Sequence, residues 1–208
     1  DLVRSRGLGD VYKRQVPFIE EFVRVVSIES PAVIIDAAQL LSPELKDCAA
    51  FVTGNYEAFV RDLFHEMVKR NNTYKDAGSD PAALEDFDER VYVIVGMKRL
   101  LELLSDDGKD KLRTLLEKAE AVYKLHFVVA ESISGHGAFS YDAWYKRYLT
   151  GADGVWIGDG IADQYFLKVN KVTSELYEEV GTEYGYLVSR NRPVLMKTLS
   201  HGSNEGAM

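Results

Sequence analysis

Histidine, cysteine, serine and clustered acids are the groups through which this 208-residue sequence could do chemistry, and their spacing removes most of the options. His65-Glu66 opens like a zinc-binding helix, but the second histidine would fall at Lys69, so no metal pair forms. The other histidines, His126, His136 and His201, are scattered. Cys48 is the only cysteine, which excludes a disulfide framework and a four-cysteine metal site. Ser132 and Ser134 lie outside any G-x-S-x-G elbow, so a hydrolase nucleophile is not indicated. Asp153, Asp159 and Asp163 around Trp156 could line an acidic pocket, although solvated loops account for them equally well. A phosphate-cradling loop needs G-x-x-x-x-G-K-[ST]; the one Gly-Lys pair, Gly108-Lys109, is followed by Asp110 and has Leu103 where the first glycine belongs. Gly151, Gly154, Gly158 and Gly160 miss the G-x-G-x-x-G order because Asp163 takes the last place, and they read as turns.

The elements that must position these groups follow from periodicity. Phe18, Phe22, Val25 and Val26 recur at helical spacing. Ala32-Val33-Ile34-Ile35, ending at Asp36, reads as a buried strand, and Ala50-Phe51-Val52-Thr53 as a second. A helix carrying Phe59, Leu63 and Met67 runs to Arg70, and the polar stretch from Asn71 to Arg90 reads as a loop. Val91–Val95 is apolar on both faces, as a central strand is. The helix after it pauses at Asp106-Asp107-Gly108 and resumes through Leu112, Leu115, Leu116 and Ala119. His126–Ala130 is the next strand, Tyr141–Leu149 an aromatic helix, and Val155-Trp156-Ile157 a further strand. Gly185–Ser189 and Pro193–Lys197 around Asn191-Arg192 form a hairpin. Strands alternating with helices predict an α/β fold, a doubly wound and mostly parallel sheet ending in a short β-hairpin. In such folds ligands sit at the carboxyl ends of strands, here Asp36, Gly96, Glu131–Gly135 and Gly158–Gly160.

Composition narrows the partners. With 33 acidic and 25 basic side chains the net charge is −8, and no basic stripe offers the counterion release that holds nucleic acid, so nucleic acid is not an expected partner. No apolar run is long enough to insert into a membrane, and the chain reads as cytoplasmic. Asp10-Val11-Tyr12-Lys13-Arg14-Gln15 matches the translation of a sequencing-library adapter, GAT GTG TAT AAG AGA CAG. Residues 1–15 are therefore read as non-native, 16–199 as the domain and 200–208 as a flexible tail.

Ile34-Ile35-Asp36, then Phe51-Val52-Thr53 with Glu57-Ala58 and Glu66-Met67-Val68-Lys69-Arg70, then His126–Ala130 form an ordered set. Together they resemble the FtsK/SpoIIIE-type translocating ATPases: the strand after the P-loop helix, the next strand with its long helix, and the sensor strand. Ala130-Glu131-Ser132, Trp144-Tyr145-Lys146, Gly154–Gly158, Ile161–Tyr165, Lys171-Val172-Thr173, Glu175-Leu176, Gly185-Tyr186 and Pro193-Val194-Leu195 are similar to the last ATPase domain of the EssC type, the membrane-bound motors of type VII secretion. The likeness runs from about Phe18 to Leu199.

The resemblance implies a P-loop NTPase fold, with ATP and Mg²⁺ belonging to the complete domain and no cofactor held by this fragment. It also locates departures. Where working members place an acidic pair after the central strand, the Walker B position, this chain has Gly96 and Met97. Where the sensor presents a polar amide and a basic residue, it has Ser132 and Ile133. The P-loop would precede Phe18, in the adapter-like segment. No catalytic residue or metal ligand is thereby assigned, and hydrolysis is expected to be very weak or absent. Two functions follow. One is a docking and regulatory domain of a secretion motor, partnered by small helical WXG-type substrates and by the motor's other ATPase domains at the cytoplasmic end of a membrane-anchored complex. For it, the aromatics of Asp142–Tyr148 are candidate docking groups. The other is an active translocase ATPase whose nucleotide site is incomplete in this fragment.

Overall fold

Four short apolar runs become parallel strands because each carries β-branched or aromatic residues on both faces and therefore needs cover on both. The computed structural model describes residues 8–29, 32–118, 121–149, 151–181 and 183–198, with side chains from Val16 onward. The chain divides into two compact units, one of Val23–Tyr148 and one drawn from Asp1–Phe22 and Leu149–Met208.

In the first unit β1 (Ala32–Asp36), β2 (Ala50–Val52), β3 (Arg90–Val95) and β4 (Leu125–Ala130) form one sheet in the order β2-β1-β3-β4. Every pairing is parallel. The chain steps outward from β1 to β2, then reverses to β3 and β4 on the other side, which is the expected doubly wound order. Val93, Ile94 and Val95 in the middle are essentially inaccessible, each contributing roughly 1.5–3 kcal/mol on burial.

Helix α2 (Tyr56–Asp76) carries the crossover from β2 to β3, and α3 (Met97–Leu103) with α4 (Asp106–Lys118) that from β3 to β4; α5 (Ile133–His136) and α6 (Ala143–Tyr148) follow β4. The main core joins Ile35 and Ile94 of the sheet to Val60, Leu63 and Met67 of α2 and Leu112 and Leu115 of α4. Two expectations are corrected. First, α2 continues past Arg70 through the polar residues expected to be loop, because Tyr74 on its inner face meets Tyr123 edge-on at 6.0 Å. Second, the break after β3 falls at Leu104-Ser105, and Asp106-Asp107-Gly108 is the first turn of α4, where two acids suit the positive end of the helix.

Helix α1 (Leu8–Glu29) starts before the expected Phe18 and passes through Pro17, which donates no amide hydrogen bond. Of the stretch read as non-native, residues 1–7 lie outside the described residues, as do Ala119 and the tail 200–208.

In the second unit β5 (Gly154–Ile157), β6 (Tyr184–Ser189) and β7 (Arg192–Lys197) form an antiparallel sheet in the order β5-β6-β7. The expected hairpin forms, with its turn one residue earlier than Asn191-Arg192: Arg190 and Asn191 both have positive φ, 50° and 63°, the geometry of a two-residue turn matched to strand twist, and Arg192 already pairs with Ser189. The Val155–Ile157 run is a strand, but it pairs with this hairpin and does not extend the parallel sheet. A separate small core gathers Ile161, Leu176, Tyr186 and Val188.

Candidate functional site at the carboxyl end of the parallel sheet

The reversal of strand order between β1 and β3 defines where a ligand crevice belongs, outside the carboxyl ends of those strands. Three positions picked out by the sequence meet this end: Asp36 as the last residue of β1, Gly96 after β3 and Glu131 after β4.

Asp36 is buried, and its carboxylate is committed to its own loop. Oδ1 accepts from the Leu40 amide at 3.1 Å and Oδ2 from the Leu41 amide at 2.8 Å. Its carbonyl accepts the Tyr56 hydroxyl at 3.3 Å.

Gly96 is a backbone device. It sits at φ 78°, ψ 60° as the N-cap of α3, and its amide bonds to the Ala130 carbonyl at 3.0 Å. A Cβ there would stand 2.7 Å from the Cβ of Ala38, so glycine is needed both for its torsion and for the close approach of the β1 loop. Met97 is wholly buried in the main core. Neither position presents an acid.

A carboxylate reaches this turn from elsewhere. Glu131 Oε2 accepts from the Lys98 amide at 2.8 Å, in the first turn of α3, while Oε1 accepts from the Ser132 amide at 2.7 Å and the Ser132 hydroxyl at 3.1 Å. A side chain on Gly135 would fall 2.3 Å from Oε1, so the glycine leaves room for this arrangement. Ser132 is buried and caps α5, its hydroxyl accepting from the Gly135 amide at 3.2 Å, whereas Ile133 is largely exposed. The sequence picked out Glu131 only as a strand-end residue; its contact with Lys98 spans 33 positions and has no local signal.

Beside this end lies an aromatic group. His136 shares a short hydrogen bond with the Tyr145 hydroxyl, and the ring of Phe139 stacks on Trp144 with centroids 5.6 Å apart. Burial pushes His136 below the ordinary histidine value, with the charge of Glu131 acting in the opposite direction, and burial raises Tyr145. Trp144 is 4% exposed, and its indole donates to Asp142, which also pairs with Arg113 at 3.1 Å. The Asp142–Tyr148 stretch therefore sends its tryptophan into the core, a correction to its reading as a docking stripe; Tyr148 donates to the Glu117 carbonyl at 2.8 Å.

Glu57 was missed as a positioning residue. It accepts from the Ser105 amide at 3.0 Å and hydroxyl at 2.7 Å, at the start of α4, and these bonds hold its carboxyl below the usual value. The only local hint was a serine followed by two acids, a helix-start signature.

In the second unit the proposed acidic pocket does not assemble. Asp153 accepts from the Arg190 amide at 2.9 Å and Asp159 from the Val180 amide at 2.8 Å, so these two acids close different loops. Among the described residues no three histidine, cysteine or acidic side chains gather as a metal site. Gly158 and Gly160 have φ of 87°, turn geometry as expected. The antiparallel sheet does expose an apolar row: Val155, Leu187 and Val194 are directly in register across all three strands and are 41%, 45% and 59% exposed.

The fold is α/β, a parallel four-stranded sheet with helices, and the antiparallel sheet is a separate unit. No family model and no curated protein matches the sequence. Among solved structures the chain is similar to EccC of Thermomonospora curvata (ATPases 2 and 3, in complex with a signal sequence peptide), at 18% identity and TM-score 0.59, covering 90% of this chain and 35% of that one. It is also similar to the cytoplasmic domain of EssC, at 12% identity and TM-score 0.60, covering 83% of this chain and 34% of that one. A third structure, described as an ATPase, matches at 14% identity and TM-score 0.54, over 86% of this chain and 65% of that one. The chain thus spans about a third of the length of the first two. At such identities the likeness is one of fold: the chain has the fold found within these EccC and EssC structures. Among the described residues no helix is long and apolar enough to cross a membrane.

Proposed function

We propose that this chain is an EssC/EccC-like domain of a type VII secretion motor, one that docks exported substrates and regulates their export without hydrolysing ATP. The observation that carries the reading is the turn after β3. Its two residues are Gly96, which has no side chain, and Met97, whose side chain is in the core. Phosphoryl transfer depends on Mg²⁺ and on charge placed around the phosphates. The residues at this end do not fit Mg²⁺, since the nearby carboxylates of Asp36 and Glu131 are engaged by backbone amides. ATP and Mg²⁺ would have to be held by groups the complete domain supplies.

Docking is supported by the apolar row Val155–Leu187–Val194, which offers a flat strip to the apolar side of a helix. A peptide occupant is supported by the EccC structure, a protein of this fold in complex with a signal sequence peptide. The partner we propose is the helical tail of a small WXG-type substrate. The domain would work at the cytoplasmic end of a membrane-anchored complex, beside the motor's other ATPase domains.

Fluorescence anisotropy with a labelled tail peptide of a cognate substrate tests the docking. Saturable binding at micromolar concentration, weakened at least about tenfold by Leu187→Glu, is expected, since about 1.4 kcal/mol is a factor of ten. Absence of binding at high micromolar concentration, or binding indifferent to Leu187→Glu, would remove the docking site.

A further inference from the structure

Strand β7 closes the antiparallel sheet, and no further strand pairs with its outer side among the described residues. The two-residue turn makes Ser189–Arg192 a hydrogen-bonded pair, and alternation then makes Leu187–Val194 and Gly185–Met196 bonded pairs as well. The Thr198 amide donates to the Glu183 carbonyl at 2.6 Å, and the Gly158 amide to the Tyr184 carbonyl on the β5 side, as the same alternation requires. Pro193, Leu195 and Lys197 therefore turn their backbone groups outward. Proline fits there because the hairpin asks no donor of it. Leu195 is in register with Trp156 and Tyr186 on the face that carries the small core, yet it is 53% exposed, since that core gathers residues of β5 and β6 and none of β7. Val194, on the other face, is exposed too. The centre of β7 is thus apolar, open on both faces and unpaired along its edge, the arrangement that templates strand addition.

We propose that β7 pairs with β7 of a second copy of this chain, antiparallel about a two-fold axis at Leu195, joining the two sheets into one of six strands. The strand's own residues select this occupant and this register. Leu195 meets Leu195 of the second copy, each donating and accepting. The Lys197 amide donates to the Pro193 carbonyl across the axis, so the proline costs one bond on each side and leaves the central pair whole. Val194 meets Met196, apolar against apolar, and no like charges stand opposite each other. Arg192, exposed and without an ion pair among the described residues, falls opposite Thr198, at the end of the strand where Glu183 already pairs with Lys197 at 3.0 Å. A free cation of each copy is thereby brought to the acid of the other. Centring the pair on Val194 would set Pro193 against Leu195 twice and lose a donor at both central pairs. The pairing rests on the strand alone and stands whether or not the docking reading holds.

Sedimentation of the 208-residue chain over a range of concentrations tests it. One strand pair buries less than the roughly 1,200 Å² of a standard interface, so a reversible dimer with a dissociation constant on the order of 100 μM is expected. Leu195→Pro removes the outward donor and spares every bond within the hairpin, and Leu195→Lys sets two like charges together at the axis. Each should raise the dissociation constant at least about tenfold while leaving the thermal unfolding of the monomer little changed. Without any substitution, exchange of the Leu195 and Lys197 amides should slow as the dimer fills. A chain that stays monomeric to about 1 mM would overturn the proposal. So would a dimer that the folded variants leave intact, or one that forms without protecting those two amides, since the copies would then meet elsewhere. Loss of tail-peptide binding in Leu195→Pro by a monomeric chain would give the edge to the peptide, and would overturn it as well.

Discussion

The two ends of the parallel sheet handle charge in opposite ways. At the amino end the buried cation Arg70 gathers backbone carbonyls: Nη1 donates to Asp88 at 2.9 Å and to Tyr123 at 2.7 Å, while Nε pairs with Glu66 at 2.9 Å. At the carboxyl end the acids Asp36 and Glu131 gather backbone amides. Helix starts and strand-end turns at that end expose N–H groups, which suit a carboxylate. The amino end is a fastener in any fold of this type. The carboxyl end, where a doubly wound fold keeps its chemistry, has its two acids committed to backbone amides as well, which is the ground on which hydrolysis is not proposed for it.

If this contrast is right, the largest stability effect lies at the amino end. Arg70→Ala leaves buried carbonyls without a donor and a void among Phe87 and Tyr123, and should cost about 3–5 kcal/mol in urea unfolding, without altering tail-peptide binding. Gly96→Ala should cost about 2 kcal/mol, part of it recovered by Ala38→Gly, because the torsion and the Cβ contact are separate penalties. Glu131→Ala removes the cap of α3 and should cost about 1 kcal/mol, with faster exchange of the Lys98 amide as its local signature.

The smallest effect is a pH dependence. Glu57 titrates below its ordinary value of 4.5 in the folded chain, chiefly through the Ser105 hydroxyl and amide. Its stabilisation is then complete above the unfolded value and lost as pH falls through the folded one. Glu57→Gln should flatten the acid limb of the stability curve below about pH 5 and leave neutral pH little changed.

Much of the sheet was legible because β1, β3 and β4 are apolar runs bounded by turns, and the final hairpin was legible too, although its turn is Arg190-Asn191, one residue before the expected Asn191-Arg192. Pairing was less so. Val155–Ile157 has the pattern of any short strand, and only its partner Gly185–Val188, some 30 residues on, makes it antiparallel. Gly108 reads as a helix breaker, yet it lies in the first turn of α4, and glycine is needed there because Glu57 occupies the space a side chain would take. At the candidate site, the residue types at Gly96 and Met97 were readable, while the arrival of Glu131 over α3 was not, since it depends on β3 and β4 being neighbours. Arg70 looked like an ordinary helix-end cation; nothing local shows that three carbonyls surround it.

Whether the domain hydrolyses ATP is read most directly from phosphate release under saturating Mg-ATP by the protein with its natural upstream sequence restored. No release above the protein-free background is expected, and none on adding a substrate tail peptide. Steady turnover by that protein would contradict the proposed function and show that an active translocase is built around a turn carrying Gly96 and Met97.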